Sequence, residues 1–125
     1  MRMHWRQFEY LTGEWYQRAG FEVEVTPGRG DRGIDVIARR RKENGETEMV
    51  IVQAKRRSGK RSVEINDVKA LYYDRFDTGA TSAVIATTTR LAPGGRDMVK
   101  AHKFEIYAEE KTNVLNWLTK MKTER

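Results

Sequence analysis

The stretch IVQAKRR, residues 51–57, is an apolar run that ends in Gln53, Lys55 and two arginines. Side chains alternate along an extended chain, so the Gln53 amide and the Lys55 ammonium leave one face while Val52 and Ala54 leave the other. Upstream stands Asp35, in GID at 33–35, with seventeen residues between it and Gln53. An acid, an amide and an ammonium gathered at one sheet edge suit phosphodiester chemistry. The Asp35 carboxylate can hold Mg²⁺, a hard cation that prefers oxygen ligands, with Mn²⁺ expected to substitute. The Gln53 amide oxygen or the backbone carbonyl of Ala54 can complete part of the shell. A metal-activated water is then the nucleophile, and Lys55 either orients it or offsets the charge that develops on the phosphorane.

This chemistry requires a particular hairpin. The strand-like runs IDVIARR and EMVIVQAK are separated by KENGE, whose Asn44-Gly45 pair is a strong turn signal. A three-residue loop of Glu43, Asn44 and Gly45 sets Lys42 opposite Glu46 and Asp35 opposite Gln53. A two-residue Asn44-Gly45 turn would place Asp35 opposite Ala54 and turn it away.

The flanking elements follow from periodicity. Trp5, Phe8, Thr12, Trp15 and Ala19 fall on one stripe of a helix over 3–19, with Gly20 as its C-terminal cap and both tryptophans assigned to the core. FEVEVT alternates as a half-buried strand. Val63, Ile65, Val68, Leu71 and Tyr72 mark a helix over 63–76, and SAVIATTT reads as a buried strand. PGGRDMVKAHK suits a short helix and FEIYA a last strand. Val114, Leu115, Trp117, Leu118 and Met121 form the apolar face of a terminal helix. The expected architecture is α/β: a central mixed five-stranded sheet flanked by helices, with an αβββαβ core, in a single domain over 1–125. Tyr72 and Tyr73 suit either the core or a subunit contact.

Twenty-four Lys and Arg against 18 Asp and Glu give a net charge of +6, which favours a polyanionic partner, nucleic acid rather than an anionic membrane surface. Arg29 and Arg32 in PGRGDRG, and Arg56, Arg57, Lys60 and Arg61 in RRSGKRS, are the candidate phosphate contacts, with Arg39 and Arg41 beside them. GRGDRG lacks the Lys and Ser or Thr of a P-loop, so no nucleotide cofactor is expected. The absence of cysteine excludes thiol chemistry and cysteine-based zinc sites, and two histidines do not make a histidine-rich metal site. No apolar run approaches the roughly 18 residues of a spanning helix, and MRMHWRQFEY lacks the apolar segment of a signal peptide. The expected setting is intracellular and DNA-associated, without a membrane.

GID, seventeen residues, then QAK resembles the PD-(D/E)xK nuclease signature, in the variant where Gln replaces the second acid. The segment FEYLTGEWYQRAGFEVEVTPGRGDRGID resembles two relatives, the Mrr-type restriction endonuclease domain and the archaeal-type Holliday junction resolvases. AVIATTT and NVLNWLTKM also resemble the Mrr-type pattern. The resemblance implies a restriction-endonuclease-like fold. It also implies a metal-binding glutamate on the first helix, eleven residues before the glycine that ends it, which here is Glu9. The competitor Glu14 falls on the far side of the helical wheel. Together, Glu9, Asp35, Gln53 and Lys55 are the implied catalytic set.

Within the superfamily the indications divide. Resolvases usually carry Glu where this chain has Gln53, which favours the Mrr-type branch. Mrr-type enzymes normally add a separate recognition domain, for which 125 residues leave no room, and a stand-alone basic nuclease domain is the resolvase arrangement. The expectation is therefore a metal-dependent, structure-selective DNA endonuclease, a homodimeric Holliday junction resolvase cutting opposed strands of four-way junctions. The alternatives are an Mrr-like restriction or repair nuclease acting on modified or unusual duplexes, and a non-catalytic DNA-binding protein that keeps the nuclease fold.

Overall fold

A computed structural model describes residues 4–27, 33–57 and 61–123. Helix α1, Trp5–Arg18, opens on a capping box. His4 Nδ1 accepts the Arg6 amide, and the Gln7 side-chain oxygen accepts the His4 amide. Gly20, at φ +98°, follows its C-terminal cap. Strands β1, Glu22–Val25, β2, Val36–Arg41, and β3, Thr47–Lys55, come next. Then follow α2, Ile65–Thr78, β4, Ser82–Thr87, α3, Pro93–Ala101, β5, Ile106–Glu109, and α4, Lys111–Thr123.

The sheet order is β1-β2-β3-β4-β5. The first three strands form an antiparallel meander, and β4 and β5 add in parallel to β3 through helical crossovers. Each sheet face is apolar and each is covered by helices. On one side Val36, Ala38, Val50, Val52, Val84 and Ala86 pack against Phe8 of α1 and Val114, Trp117 and Met121 of α4. On the other, Ile51, Ala83, Ile85 and Ile106 pack against Val68 and Leu71 of α2 and Met98 and Val99 of α3. This is the mixed, helix-flanked five-stranded sheet expected from the sequence. Among the described residues no helix is long and apolar enough to cross a membrane.

Three assignments need correction. Trp5 is 44% exposed and lies beside the Arg6 guanidinium rather than in the core. It belongs to the first turn of α1. Trp15 packs on the core and stacks on Trp117, ring centroids 5.2 Å apart. Val63 is buried but not helical. It forms a short parallel bridge with Leu91, and α2 starts two residues later. Leu115 is 42% exposed, so the buried stripe of α4 is Val114, Trp117 and Met121.

Candidate active site at the open end of the hairpin

The hairpin closes through the three-residue loop. Lys42 N–H donates to Glu46 O at 2.8 Å, Gly45 N–H to Lys42 O at 3.0 Å, and Gly45 takes φ +89°, a conformation open to glycine. Val36 consequently pairs with Val52, and the same register puts Asp35 opposite Gln53. Met49 and Ile51 pack on the α2/α3 side, so by alternation Gln53 and Lys55 share that face, while Val50, Val52 and Ala54 pack on the other.

The ladder changes character at Asp35. Continued unchanged, it would set Ile34 opposite Ala54. Instead Ile34 O accepts the Thr26 hydroxyl at 2.8 Å, and Ala54 N–H donates to Asp35 Oδ2 at 2.8 Å. The Asp35 N–H donates to Val52 O, and the Asp35 carbonyl accepts Thr26 N–H, both at 2.9 Å. The carboxylate is thereby pinned at the end of the strand pair. Burial pushes its pKa up to about 6, and the nearby Glu9 carboxylate pushes the same way, against the Ala54 amide and the Lys55 ammonium.

Glu9 arrives from α1 and is 5% exposed. Arg6, one turn earlier, pairs with its carboxylate and donates to Thr26 O at 2.8 Å, fastening the helix to the chain that leaves β1. Glu14 instead pairs with Arg18 at 3.0 Å, with 45% of its side chain exposed. Gln53 supplies the fourth group. Its Oε1 is buried and has no hydrogen-bond donor among the described residues, a costly state for an amide oxygen unless a ligand completes it. The space for its other end depends on Gly33, where an added Cβ would lie 2.5 Å from Gln53 Nε2 and where φ is +68°.

Two carboxylates, an uncompensated amide oxygen and an ammonium thus converge from α1, the start of β2 and the end of β3. Residues 1–118 match the Mrr catalytic-domain family, described as restriction endonuclease. The chain belongs to the Mrr-type restriction endonuclease family.

Solved structures share the fold of this Mrr-type domain. The MspJI restriction endonuclease in complex with a 27-mer oligonucleotide superposes with a TM-score of 0.70 at 17% identity, covering 91% of this chain and 27% of that one. The DNA modification-dependent restriction endonuclease AspBHI gives 0.76 at 16% identity, over 93% of this chain and 31% of that one. AF1548, a protein of unknown function, gives 0.64 at 15% identity, over 86% and 63%. The Mrr-type domain therefore spans about a third or less of the two restriction enzymes. No curated protein matches it.

Glu9, Asp35 and the Gln53 amide offer a cation only oxygen donors. Among the described residues no three His, Cys, Asp or Glu side chains cluster, so a cation here would rest on Glu9, Asp35 and neutral oxygens. That composition fits a hard divalent cation, and the buried Gln53 Oε1 is the orphaned acceptor such an ion would satisfy.

Lys55 does not face Asp35 alone. Its Nζ lies 3.5 Å from Asp67 Oδ1, while Arg57 Nη2 lies 3.7 Å from Asp67 Oδ2. Asp67 was not among the residues expected from the sequence. It occupies the first turn of α2, where an acid is favoured by the helix dipole alone, so its type and position carried no separate signal. Arg56 and Arg61 are exposed near this edge and Arg57 is half-buried. Arg29, Arg32 and Lys60 lie outside the described residues. Arg39 and Arg41 do not join the site, because they stand four and six positions further along β2 toward the turn. There Arg39 pairs with Glu24 at 3.6 Å and Arg41 lies opposite Thr47.

Proposed function

We propose that the chain is the catalytic unit of a divalent-metal-dependent endonuclease that hydrolyses phosphodiester bonds in duplex DNA. The observation that carries this reading is the buried Gln53 Oε1, which has no donor among the described residues and stands in register with Asp35, whose carboxyl is pushed toward its neutral form by burial and by Glu9. Glu9, Asp35, Gln53 and the Ala54 carbonyl are the ligand set in this proposal, with Mg²⁺ or Mn²⁺ as the ion. A bound divalent cation would polarise the phosphoryl oxygen and make a coordinated water a stronger acid.

The remaining work falls to the chain. Arg6 holds Glu9 toward the strand end, and the Ala54 amide fixes the orientation of Asp35. Lys55, tethered by Asp67, presents an ammonium to the charge that builds on the phosphorane, in a site where partial burial strengthens the attraction. Arg56, Arg57 and Arg61 are assigned to backbone phosphates, as are Arg29, Arg32 and Lys60, which lie outside the described residues.

Residues 1–125 are read as one catalytic domain. One site cuts one strand, so a double-strand break takes two copies, which motivates a homodimer. Modified duplex is the first substrate to try, because AspBHI, whose fold is shared, is a modification-dependent restriction endonuclease.

The test is cleavage of methylated duplex, unmodified duplex and a synthetic four-way junction, in Mg²⁺, Mn²⁺ or chelator, with Asp35→Asn protein alongside. Metal-dependent cutting of duplex, absent in the mutant, is the expected result. Paired nicks confined to opposed junction strands would replace this reading with junction resolution. Binding without cutting of any substrate would leave a DNA-binding module.

A further inference from the structure

A second cavity adjoins the candidate active site. It is a cleft of about 390 Å³ at the carboxyl ends of the parallel strands, where Arg57, Arg90, Arg96 and Lys111 converge with Glu110. The carboxyl edge of parallel strands is where open α/β sheets place their ligands.

The cleft has a rigid floor. Thr88 Oγ1 accepts the Arg57 N–H and donates to the Arg57 carbonyl, both at 3.0 Å, locking that residue against the end of β4. Lys111 N–H donates to Thr89 O at 2.9 Å, fixing the start of α4 beside it.

Its charge is directed outward. Glu110, the one carboxylate in the lining, is already spent on the Leu91 N–H at 2.6 Å and on Arg96 Nη2 at 3.0 Å. Arg96 gives two of its five N–H donors to that pair, and half of its side chain is exposed. The Lys111 ammonium has no ion-pair partner among the described residues. Arg57 is shared with Asp67 outside the cleft, so the half-exposed Arg96 and the exposed Lys111 carry its anion-binding character, in a space of about 390 Å³ that suits one phosphate rather than a duplex.

The link to the catalytic groups is direct. Lys55 and Arg57 share Asp67, and two residues of chain span at most about 7 Å, about two nucleotides of axial rise at roughly 3.4 Å each. We infer that this cleft binds a backbone phosphate of the cleaved strand, one or two nucleotides from the bond that is cut. The inference rests on the nuclease reading above and adds to it a contact that holds substrate and transition state equally.

The experiment uses Arg96→Gln/Lys111→Gln protein. Duplex affinity is measured against salt without divalent metal, and cleavage kinetics are measured in Mg²⁺. The salt slope should fall by up to about one, the loss of a single phosphate contact, making the affinity loss between 50 and 200 mM salt about threefold to fourfold smaller than for the wild type. KM should rise while kcat holds, the pattern of a uniform binding contact. Lys111→Gln alone, at an exposed position, should give half the slope change without touching the Arg96 pair. Lys120→Gln/Lys122→Gln, which removes the same charge from the far end of α4, should change nothing.

An unchanged slope and KM in the cleft variants, or an equal fall in the α4 control, overturns the inference. If Asp35→Asn protein still binds and no longer cuts while the cleft variants match the wild type, the cleft alone is refuted. Absence of duplex binding by the wild type refutes both readings.

Discussion

Lys55 and Arg57 close on opposite oxygens of a single carboxylate, Asp67, at 3.5 Å and 3.7 Å. The arrangement restrains a long ammonium side chain that would otherwise sample many rotamers, and it does so from the first turn of a helix rather than from another loop. Asp67→Asn should therefore lower kcat by roughly tenfold to a hundredfold, the cost of misplacing a reacting group by about an ångström. Duplex affinity should hold or tighten, because a negative charge leaves the phosphate path. Asp67→Glu should recover part of the rate. Full kcat in Asp67→Asn protein would return Asp67 to a helix-dipole role.

The Asp35 carboxyl predicts a pH-dependent stability. Its folded pKa of about 6 lies above its ordinary value of 3.8, so between these values the folded protein binds more protons than the unfolded chain and stability declines as pH rises. The penalty is absent below about pH 4 and complete above about pH 6. Asp35→Asn should stabilise the metal-free protein by about 1 kcal/mol at pH 7.5, a figure discounted because solvent partly screens this carboxyl. The gain should vanish near pH 4. Urea unfolding of both proteins at the two pH values measures it, and equal gains at both would show that the effect is not ionisation. Added Mg²⁺ or Mn²⁺ at pH 7.5 should raise wild-type stability but not that of Asp35→Asn, since only a site that binds the ion gains from mass action.

Much of the candidate site was legible because its signals are local. An Asn-Gly turn with a left-handed glycine fixes a hairpin register, and strict alternation then fixes which residues share a face, so Asp35 meets Gln53 without any long-range information. Glu9 could be preferred over Glu14 from the helical wheel because a stripe must face the sheet. The Asp67 contact lay beyond such reasoning: it joins the end of β3 to the start of α2, and nothing in the basic sequence of residues 56–66 dictates where that helix lands. Val63 had the spacing of a helical core residue, but its bridge to Leu91 is a tertiary pairing. Trp5 matched the apolar period of α1, yet periodicity reports only direction around a helix axis, and at Trp5 that direction leads to the Arg6 guanidinium and solvent.

That distinction separates the tryptophans experimentally. Trp117 is 3% exposed and stacks on Trp15, so Trp117→Ala should cost about 3–5 kcal/mol. A double-mutant cycle with Trp15→Ala should return a coupling of about 0.5–1.5 kcal/mol. Trp5→Ala should fall within about 0.5 kcal/mol of wild type, as exposed positions do. Denaturant midpoints at constant m-value measure all three. A large loss in Trp5→Ala would mean that the first turn of α1 is buried against something further.

Gly33 offers the sharpest test of Gln53 as a ligand. An alanine there must adopt φ near +68° and bring its Cβ to 2.5 Å from Gln53 Nε2. The backbone conformation costs about 1–2 kcal/mol, which the fold can absorb. The contact is with the far end of a flexible side chain, so the glutamine moves rather than the sheet. Gly33→Ala should thus melt several degrees lower while keeping its structure, and its Mg²⁺ or Mn²⁺ affinity should fall if the amide oxygen it displaces is a ligand. Gln53→Glu should act oppositely, tightening the metal by adding a third carboxylate to the same pocket. Calorimetric titration of the three proteins decides the matter. If Gly33→Ala binds metal as the wild type does, and Gln53→Glu binds no tighter, the buried Oε1 has a role other than coordination and the ligand set reduces to the two carboxylates and main-chain oxygen.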